Sequence, residues 1–428
     1  MSQTVVFLVL VLTVPTLIHY YLWRRLVRNT TGPGRARRIG TWTVIGLAVL
    51  ILGSFVGSRV LPHAASTVIA WTGYLWLALM FYLVVTLAAL ELPALVARLV
   101  LRRRAARAAV TVPAHVPVGA LAGAGSDPAP TSMTLDDGTP PTDPDEAESA
   151  GGADAGRRLF LARTVAITAG VASVGLVGSG IPVALGAPRI KRVPITLARL
   201  PRTADGLKIA VVADIHAGPI MGATHVRRVV DMINGLGADI VAVVGDTVDG
   251  SVAELGRVIA PLGQMRARLG SFIVTGNHEY YSGYEEWTAE YARLGLRMLR
   301  NEREELPIGV DLVGVNDLQG RQFDDGPDVD RALDGRDPAR VAIMLAHQPA
   351  QAPEVARHGV DLQLSGHTHG GQMMPFNLIV RASGQPVVSG LGQVDGMPVY
   401  VTNGAGFWGP PVRVGAPPDI SLVELRAP

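Results

Sequence analysis

Aspartate, histidine and asparagine recur in this chain at one kind of position, directly after short aliphatic runs. Asp214 and His216 follow Leu207–Ala213, and Gly245-Asp246 follows Asp239–Val244. Gly276-Asn277-His278-Glu279 follows Ser271–Thr275. His347 follows Val341–Ala346, and Gly366-His367-Thr368-His369 follows Val360–Leu364. In α/β sheets, ligands gather beyond the carboxyl ends of strands, so these segments are expected to meet on one rim. Carboxylate, imidazole and amide donors suit divalent manganese, iron or zinc. The donors suffice for two ions sharing a carboxylate, whose two oxygens can serve both. Two cations about 3.5–4 Å apart clamp the attacking and leaving oxygens of an in-line phosphoryl displacement and acidify bound water. Gly245, Gly276 and Gly366 allow turns and close backbone approach that a Cβ would obstruct. Turn formation or capping explains Asp246 or Asn277 taken singly; it does not explain the joint set.

The runs that position these residues alternate in character. Leu207–Ala213, Asp239–Val244 and Ser271–Thr275 read as strands. Ala223–Leu236, Val252–Leu269 (with a break or kink at Pro261) and Tyr284–Leu294 read as the helices between and after them. Val310–Val315, Val341–Ala346 and Val360–Leu364 read as strands, with Ala350–His358 a helix. Pro398–Thr402 and Ile420–Leu425 are late strands. Alternation first and strands later predicts a mixed α/β unit whose sheets pack inside helices.

Asp214-Ile-His216, Gly245-Asp246-Thr-Val-Asp249, Gly276-Asn277-His278-Glu279, His347 and Gly366-His367-Thr-His369 together resemble the signature of calcineurin-like metallophosphoesterases. Leu345-Ala-His347-Gln-Pro349, Ser365–Gln372 and Trp408-Gly-Pro-Pro-Val-Arg413 resemble its membrane-associated, twin-arginine-exported bacterial branch. The resemblance covers about residues 192–428. It implies a four-layer αββα sandwich and two divalent metal ions. By position, Asp214, His216 and His369 would hold the first ion, Asp246 would bridge, and Asn277, His347 and His367 would hold the second. His278 would face the phosphate as general acid or transition-state stabiliser. Asp249 and Glu279 read as groups that orient the ligands. Arg413 is a candidate for bidentate phosphate binding, with a buried ion pair as its structural reading. Tyr280, Tyr281 and Trp408 are candidates for the substrate cleft, with plain packing as theirs. His225 and His358 match no motif and read as surface histidines.

The remainder of the chain of 428 residues is of another kind. Over the whole chain only 17% of residues are charged and 48% are hydrophobic, against about 25% charged in a soluble domain. Val5–Leu22, Ile39–Gly57 and Val68–Leu90 carry no charge and approach the roughly 20 residues that a membrane-crossing helix needs. Tyr20, Tyr21, Trp23, Trp42, Trp71, Tyr74 and Trp76 sit toward their ends, as in an interfacial belt. Glu91, at the end of the third, reads as reaching the headgroups. Val110–Gly156 is acidic, rich in Pro, Gly and Ala, and free of Lys and Arg; it reads as a disordered spacer. Arg157-Arg158-Leu-Phe-Leu-Ala, followed by apolar Thr164–Leu185, resembles a twin-arginine signal inside the chain. The expected organisation is three membrane helices over 1–109, a linker over 110–156, a fourth apolar helix over 157–188, and a catalytic domain over 189–428. Arginines cluster between the first two apolar runs and after the third, with only Arg59 between the second and third. Basic loops stay inside, which places the catalytic domain of a multi-pass cell-membrane protein outside the cytoplasm.

The chain has no cysteine and a net charge of only +2, so thiol chemistry is excluded and no nucleic-acid partner is expected. The expected function is hydrolysis of phosphomonoesters or phosphodiesters, on an envelope or lipid-linked substrate with membrane lipids as neighbours. The competing readings are a sensor or scaffold with a binding-only metal site, and a transporter. The latter is disfavoured because the apolar runs lack paired ionisable residues.

Overall fold

The structure, a computed structural model, describes residues 3–60, 63–110 and 144–428. Four long helices come first: α1 (Gln3–Leu22), α2 (Arg35–Val60), α3 (His63–Val110) and α4 (Pro144–Leu185). Among the described residues, Arg35–Ser54, Thr67–Pro93 and Arg158–Leu185 are long and apolar enough to cross a membrane. They coincide with the second, third and fourth expected runs. The first, Val5–Leu22, is helical as α1, with the side chains of residues 1–11 outside the described set. Most of the expected linker, 111–143, also lies outside the described residues. Its last part does not: α4 already begins at Pro144. Proline at the first helical position and Asp145 and Glu146 behind it suit a helix N-terminus, a preference that overall composition hides.

The chain forms two compact units, Met1–Ile45 with Phe81–Ser173, and Gly46–Met80 with Val174–Pro428. In the first, Arg25 pairs with Glu91, and the Tyr21 hydroxyl donates to the same carboxylate at 3.4 Å. Glu91 is therefore paired within the protein, in addition to its expected place at the end of the apolar run.

The second unit carries two six-stranded sheets. The strands are β1 (Arg189–Thr196), β2 (Lys208–Val212), β3 (Ile240–Val244), β4 (Ser271–Val274), β5 (Arg297–Met298), β6 (Glu302–Leu306), β7 (Val310–Gly314), β8 (Val341–Leu345), β9 (Leu362–Ser365), β10 (Gly390–Val394), β11 (Met397–Val401) and β12 (Asp419–Arg426). One sheet runs β1-β12-β2-β3-β4-β5 and the other β10-β11-β9-β8-β7-β6. At their centres the strands are parallel, with Val211 beside Ala242, Ala242 beside Phe272, and Leu345 beside Leu364. Parallel strands need crossovers and are covered on both faces; hence the uninterrupted apolar runs.

Three apolar layers hold the unit together. Ile209, Val211, Ala242 and Val244 of one sheet meet Leu312, Ile343, Leu345 and Leu364 of the other. Helices α5 (Ala223–Asn234), α6 (Val252–Ile259) and a later helix, Tyr284–Arg293, cover the outer face of the first sheet through Val226, Val230, Leu255, Ile259, Trp287 and Tyr291. Val329, Ala332, Ala352 and Val355 cover the outer face of the second. The order is helix, sheet, sheet, helix. Pro261 lies in a short 3-10 turn, Ala260–Gln264, just after α6; the helix expected to Leu269 stops there because Pro withholds an N–H.

His225 departs from its reading as a surface residue. It is only 7% exposed, within α5. Burial, helped by the charge of Arg228, pushes its imidazole down to about 4. His358, by contrast, does sit at the surface, 3.0 Å from Asp330. A histidine held neutral in the fold binds its proton more readily when unfolded, so its contribution is complete above pH 6.5 and is lost as pH falls toward 4. The stability advantage of the wild type over His225→Leu is expected to shrink by about 3 kcal/mol between pH 7 and pH 4. Denaturant titrations of both proteins across that range measure it; a constant difference would refute the buried, neutral imidazole.

Candidate metal centre

Asp214 and His216 stand just past β2, Asp246 past β3, His347 past β8, and His367 and His369 past β9. Asn277 opens the short helix α7 (Asn277–Tyr281) after β4, which makes the helix Tyr284–Arg293 α8. The polar segments do meet. Ligand atoms of Asp214, His216 and His369 lie within 4.8 Å of one another, and so do those of Asp246, His347 and His367. The two clusters share an oxygen: Asp246 Oδ2 is 3.9 Å from His216 Nε2 and 3.1 Å from His347 Nε2. Asp246 Oδ1 is otherwise engaged, accepting from the backbone N–H of His278 at 2.8 Å. Asp246 would hold ions on both sides, with Oδ2 facing both clusters and Oδ1 anchored by that N–H.

Two orphaned atoms test whether these residues fit a cation. His347 Nδ1 donates to Val244 O at 2.7 Å, which turns the Nε2 lone pair inward. That Nε2 is buried with no hydrogen-bond partner, its approach to Asp246 lacking the alignment of a hydrogen bond, and Asn277 Oδ1 is likewise buried and unpartnered. Buried polar atoms are ordinarily satisfied. Two buried atoms without partners, one of them an amide oxygen and the other a ring nitrogen whose proton a cation could replace, fit divalent ions beside clustered carboxylates and imidazoles.

The backbone is strained where the donors sit. Asp214, His216, Asp246, His367 and His369 all have positive φ, between 48° and 71°. Such conformations cost on the order of 1–3 kcal/mol each outside glycine and persist only when their surroundings impose them. Close backbone approach is part of that imposition. A Cβ on Gly276 would stand 2.2 Å from Asp246 Oδ1, and one on Gly366 would stand 2.6 Å from Asp214 Oδ2.

Glu279 does much of the holding. Its carboxylate accepts from the N–H groups of Gly276 (2.7 Å), Thr247 (2.8 Å) and Asp246 (3.0 Å), and from the hydroxyls of Thr247 and Tyr291. It thereby ties the turn after β3 to the turn after β4. Asp249 orients two rings with one oxygen, 2.8 Å from His216 Nδ1 and 2.7 Å from His278 Nδ1.

The electrostatics are uneven. Burial pushes Asp214 up to about 6, eased by His347 and reinforced by Asp246. Burial works against charge on His347 too, but Asp246 and then Asp214 hold that imidazole well above its usual range. Burial and His347 press His367 down to about 3, while burial and Arg413 hold His369 well below the ordinary value. For His278, burial is outweighed by Asp246 and Asp249, which raise it to about 9. Burial of Asp249 is outweighed in turn by His216 and His278, which hold it below the carboxylate range.

A cleft of about 340 Å³ opens beside the clusters, lined by His216, Asp249, His278, Tyr281 and Trp408 and by Ala70 and Tyr74 of α3. His278 also comes within ligand range of His216 and Asp246, but its Nδ1 is taken by Asp249. Two expectations need correction. Arg413 is 1% exposed, and its guanidinium donates to the carbonyls of Gly406, His369, Asn403 and Ala416 and lies 3.0 Å from His369 Nδ1. Its donors are spent on backbone, so it binds neither phosphate nor a carboxylate. Tyr280 is 3% exposed and gives its hydroxyl to Asp325 at 2.8 Å, stacked on Tyr284; it is a packed residue away from the cleft. The sequence reading also missed Asp317, fully buried, gripped by Gln348 at 3.0 Å and pushed by burial up to about 6. Its place after β7 was the available signal.

Comparison with known proteins agrees with this geometry. The profile of the family described as calcineurin-like phosphoesterase matches residues 207–371. A zebrafish (Danio rerio) "Transmembrane protein with metallophosphoesterase domain" is 36% identical over 293 residues, covering 65% of each chain. An "Uncharacterized metallophosphoesterase" of Helicobacter pylori strain J99 is 37% identical over 272 residues, covering 63% of this chain and 72% of that one. One from Aquifex aeolicus is 32% identical over 244 residues, 56% of this chain and 92% of that one. The chain belongs to the calcineurin-like metallophosphoesterase family.

Replacing Glu279 with alanine leaves three buried N–H groups without an acceptor. The expected destabilisation is about 3–5 kcal/mol. Chemical unfolding of the purified variant measures it, and an unchanged midpoint would contradict the role given to this carboxylate.

Proposed function

We propose that the protein is a metal-dependent phosphoester hydrolase of the membrane, acting on phosphomonoesters or phosphodiesters. The observation that carries this reading is the pair of three-residue clusters meeting at Asp246 Oδ2 beside an open cleft. Asp214, His216 and His369 would hold one divalent ion and Asn277, His347 and His367 the other, with Asp246 between them. Manganese, iron and zinc all suit these donors. When bound, two such ions polarise the phosphoryl oxygen and acidify water. The chain's own residues supply the rest. Asp249 fixes the His278 ring through Nδ1, leaving Nε2–H at the cleft to donate to the leaving oxygen. Acid catalysis of this kind contributes about 10²–10⁴ in rate.

We further propose that the apolar helices make this a multi-pass protein with its catalytic unit outside the cytoplasm, on an envelope or lipid-linked ester. The arginine-rich flanks, the Arg157-Arg158 pair before the last apolar run, and the zebrafish relative's description as a transmembrane protein support this reading.

Purified protein is expected to hydrolyse a chromogenic phosphodiester or phosphomonoester only when a divalent metal is supplied, and chelation should abolish turnover. Asp246→Asn should lower kcat/KM by at least about 100-fold, since even groups that merely orient ligands are worth about 10–100-fold. His278→Ala should lower kcat by about 10²–10⁴ while two ions per chain remain by metal analysis. Turnover indifferent to Asp246→Asn would defeat the proposal. For sidedness, a C-terminal alkaline phosphatase fusion should be active and a fluorescent-protein fusion dark; the opposite pattern would put the catalytic unit in the cytoplasm.

A further inference from the structure

The cleft beside the metal centre is not walled by the αββα layers alone. Ala70 and Tyr74 of α3 line it, and Thr67 Oγ1 donates to Pro219 O at 3.3 Å on the same side. The last turns of α4 pack against Val412 and Arg413, a few residues beyond the cleft-lining Trp408. The backbone N–H of Arg413 donates to Gly180 O at 3.0 Å, and a Cβ on Gly180 would stand 2.6 Å from Val412. Ala184 is buried in a cluster with Met221 and Phe407, both of which line the cleft. Both helix segments belong to stretches that are long and apolar enough to cross a membrane.

Apolar side chains are exposed on the cleft-lining Trp408 and on a neighbouring segment outside the cleft lining. Trp408 is 51% exposed, Met374 44%, Leu378 65% and Ile379 56%. These side chains are tied to the stretch that α4 abuts. Met374 N donates to Val414 O at 3.0 Å, and Gln372 Nε2 donates to the carbonyls of Trp408 and Pro410. Leu378 and Ile379 stand on the short helix Asn377–Ala382, none of whose residues is buried. Apolar exposure on segments tied together in this way marks a contact surface. Where a membrane-crossing helix enters the protein, the contact at hand is the boundary between headgroups and acyl chains, where Trp is favoured.

The cleft lining carries the same message. Among the described residues lining it there is no lysine or arginine; beyond the metal-centre residues it offers one wall of Tyr74, Ile220, Met221, Phe407 and Trp408, with Ser251, Glu254, Tyr281 and Ser282 as its polar groups. A soluble polyanion would find no fixed cation outside the metal site, whereas an apolar tail would find a wall.

We infer that the cleft opens onto the bilayer and that its substrate is an amphiphilic phosphate ester drawn from the adjoining leaflet. The phosphate sits among the His and Asp donors, and the hydrocarbon runs along α3 past Tyr74 and Trp408. Water adds to phosphorus, the ester P–O bond breaks, and the leaving oxygen takes a proton, releasing an alcohol and a phosphate with one ester bond fewer. The chemistry rests on the phosphoesterase reading above; the placement of the rim does not.

The chain has no cysteine, so Leu378→Cys introduces a single thiol for a fluorescent label. Full-length protein in phosphatidylcholine vesicles is then probed with nitroxide-bearing phosphatidylcholine and with aqueous iodide. The label at 378 should be quenched about twofold or more by the nitroxide lipid and shielded from iodide. A label on Asp330→Cys, whose parent side chain is 91% exposed, should behave in the opposite way. Equal access of iodide to both positions would overturn the inference. The second arm compares turnover of a diacylglycerol phosphate ester in mixed vesicles with that of a soluble chromogenic diester. The lipid-to-soluble ratio should fall about tenfold or more in the doubly substituted Leu378→Asp, Ile379→Asp protein. Their exposure lets the fold accept both aspartates. Turnover of the soluble ester without any of the lipid ester would refute the substrate class alone. No turnover of either, with the 378 label still quenched by lipid, would refute the phosphoesterase reading and leave the bilayer-facing rim standing.

Discussion

Two carboxylates, Asp214 and Asp246, are buried where the parallel strands of both sheets end, at 0% and 2% exposure. Burying a carboxylate is costly unless its charge is matched. The imidazoles around them supply only part of the match. His347 is driven toward its charged form, and that charge then helps to keep His367 neutral, while Arg413 helps to keep His369 neutral. The protein therefore has room for positive charge that its own side chains do not supply. Divalent ions placed among the His and Asp nitrogens and oxygens meet that need, and they do so where His347 Nε2 and Asn277 Oδ1 lack partners. The rest of the catalytic unit can be understood as what keeps this unmatched charge in place.

Holding it requires geometry that the chain does not adopt freely. Five of the donor residues sit at positive φ, and glycines let one turn press against the next without a Cβ between them. The restraint comes from buried polar groups acting through the backbone. Glu279 gathers the N–H groups of Asp246, Thr247 and Gly276, and Arg413 gathers the carbonyls of Asn403, Gly406, His369 and Ala416. One anion collects donors and one cation collects acceptors. Arg413 illustrates why residue type alone misleads. A guanidinium near phosphate chemistry suggests a phosphate clamp, yet here its fork is filled by main chain.

Legibility in the sequence followed burial. The central strands β2, β3, β4, β8 and β9 were readable because both faces are covered, which forces unbroken Val, Ile and Ala runs. Edge strands were not. β1 reads RIKRVPIT and β6 reads EREEL, with charges on their exposed sides, and β10 reads GLGQV. Their strand character comes from pairing with β12, β7 and β11, a tertiary cause that periodicity does not register. The metal-centre residues were legible for a related reason: each follows a readable buried strand. His225 was misjudged because a polar residue in an amphipathic helix is by default given to the solvent face, and the structure turns it inward beside Arg228.

The placement of α3 in the cleft had no signal in the catalytic segment at all. Ala70 and Tyr74 precede Asp214 by well over a hundred residues, in a stretch whose apolar character is explained by membrane length alone. Such a stretch has no need of a polar group on one face, yet Tyr74 is turned to the wall that His278 and Trp408 complete. An anchor that served only to tether would leave the cleft to be formed by the αββα layers. In the proposed arrangement the two functions share residues, so the depth of the helix in the bilayer and the shape of the cleft would not vary independently. Sliding α3 by one turn, about 5.4 Å, would replace Tyr74 at the wall and, in that arrangement, move the proposed rim relative to the headgroups at the same time. That coupling is a physical reason for a phosphoesterase unit and apolar helices to be carried on one chain.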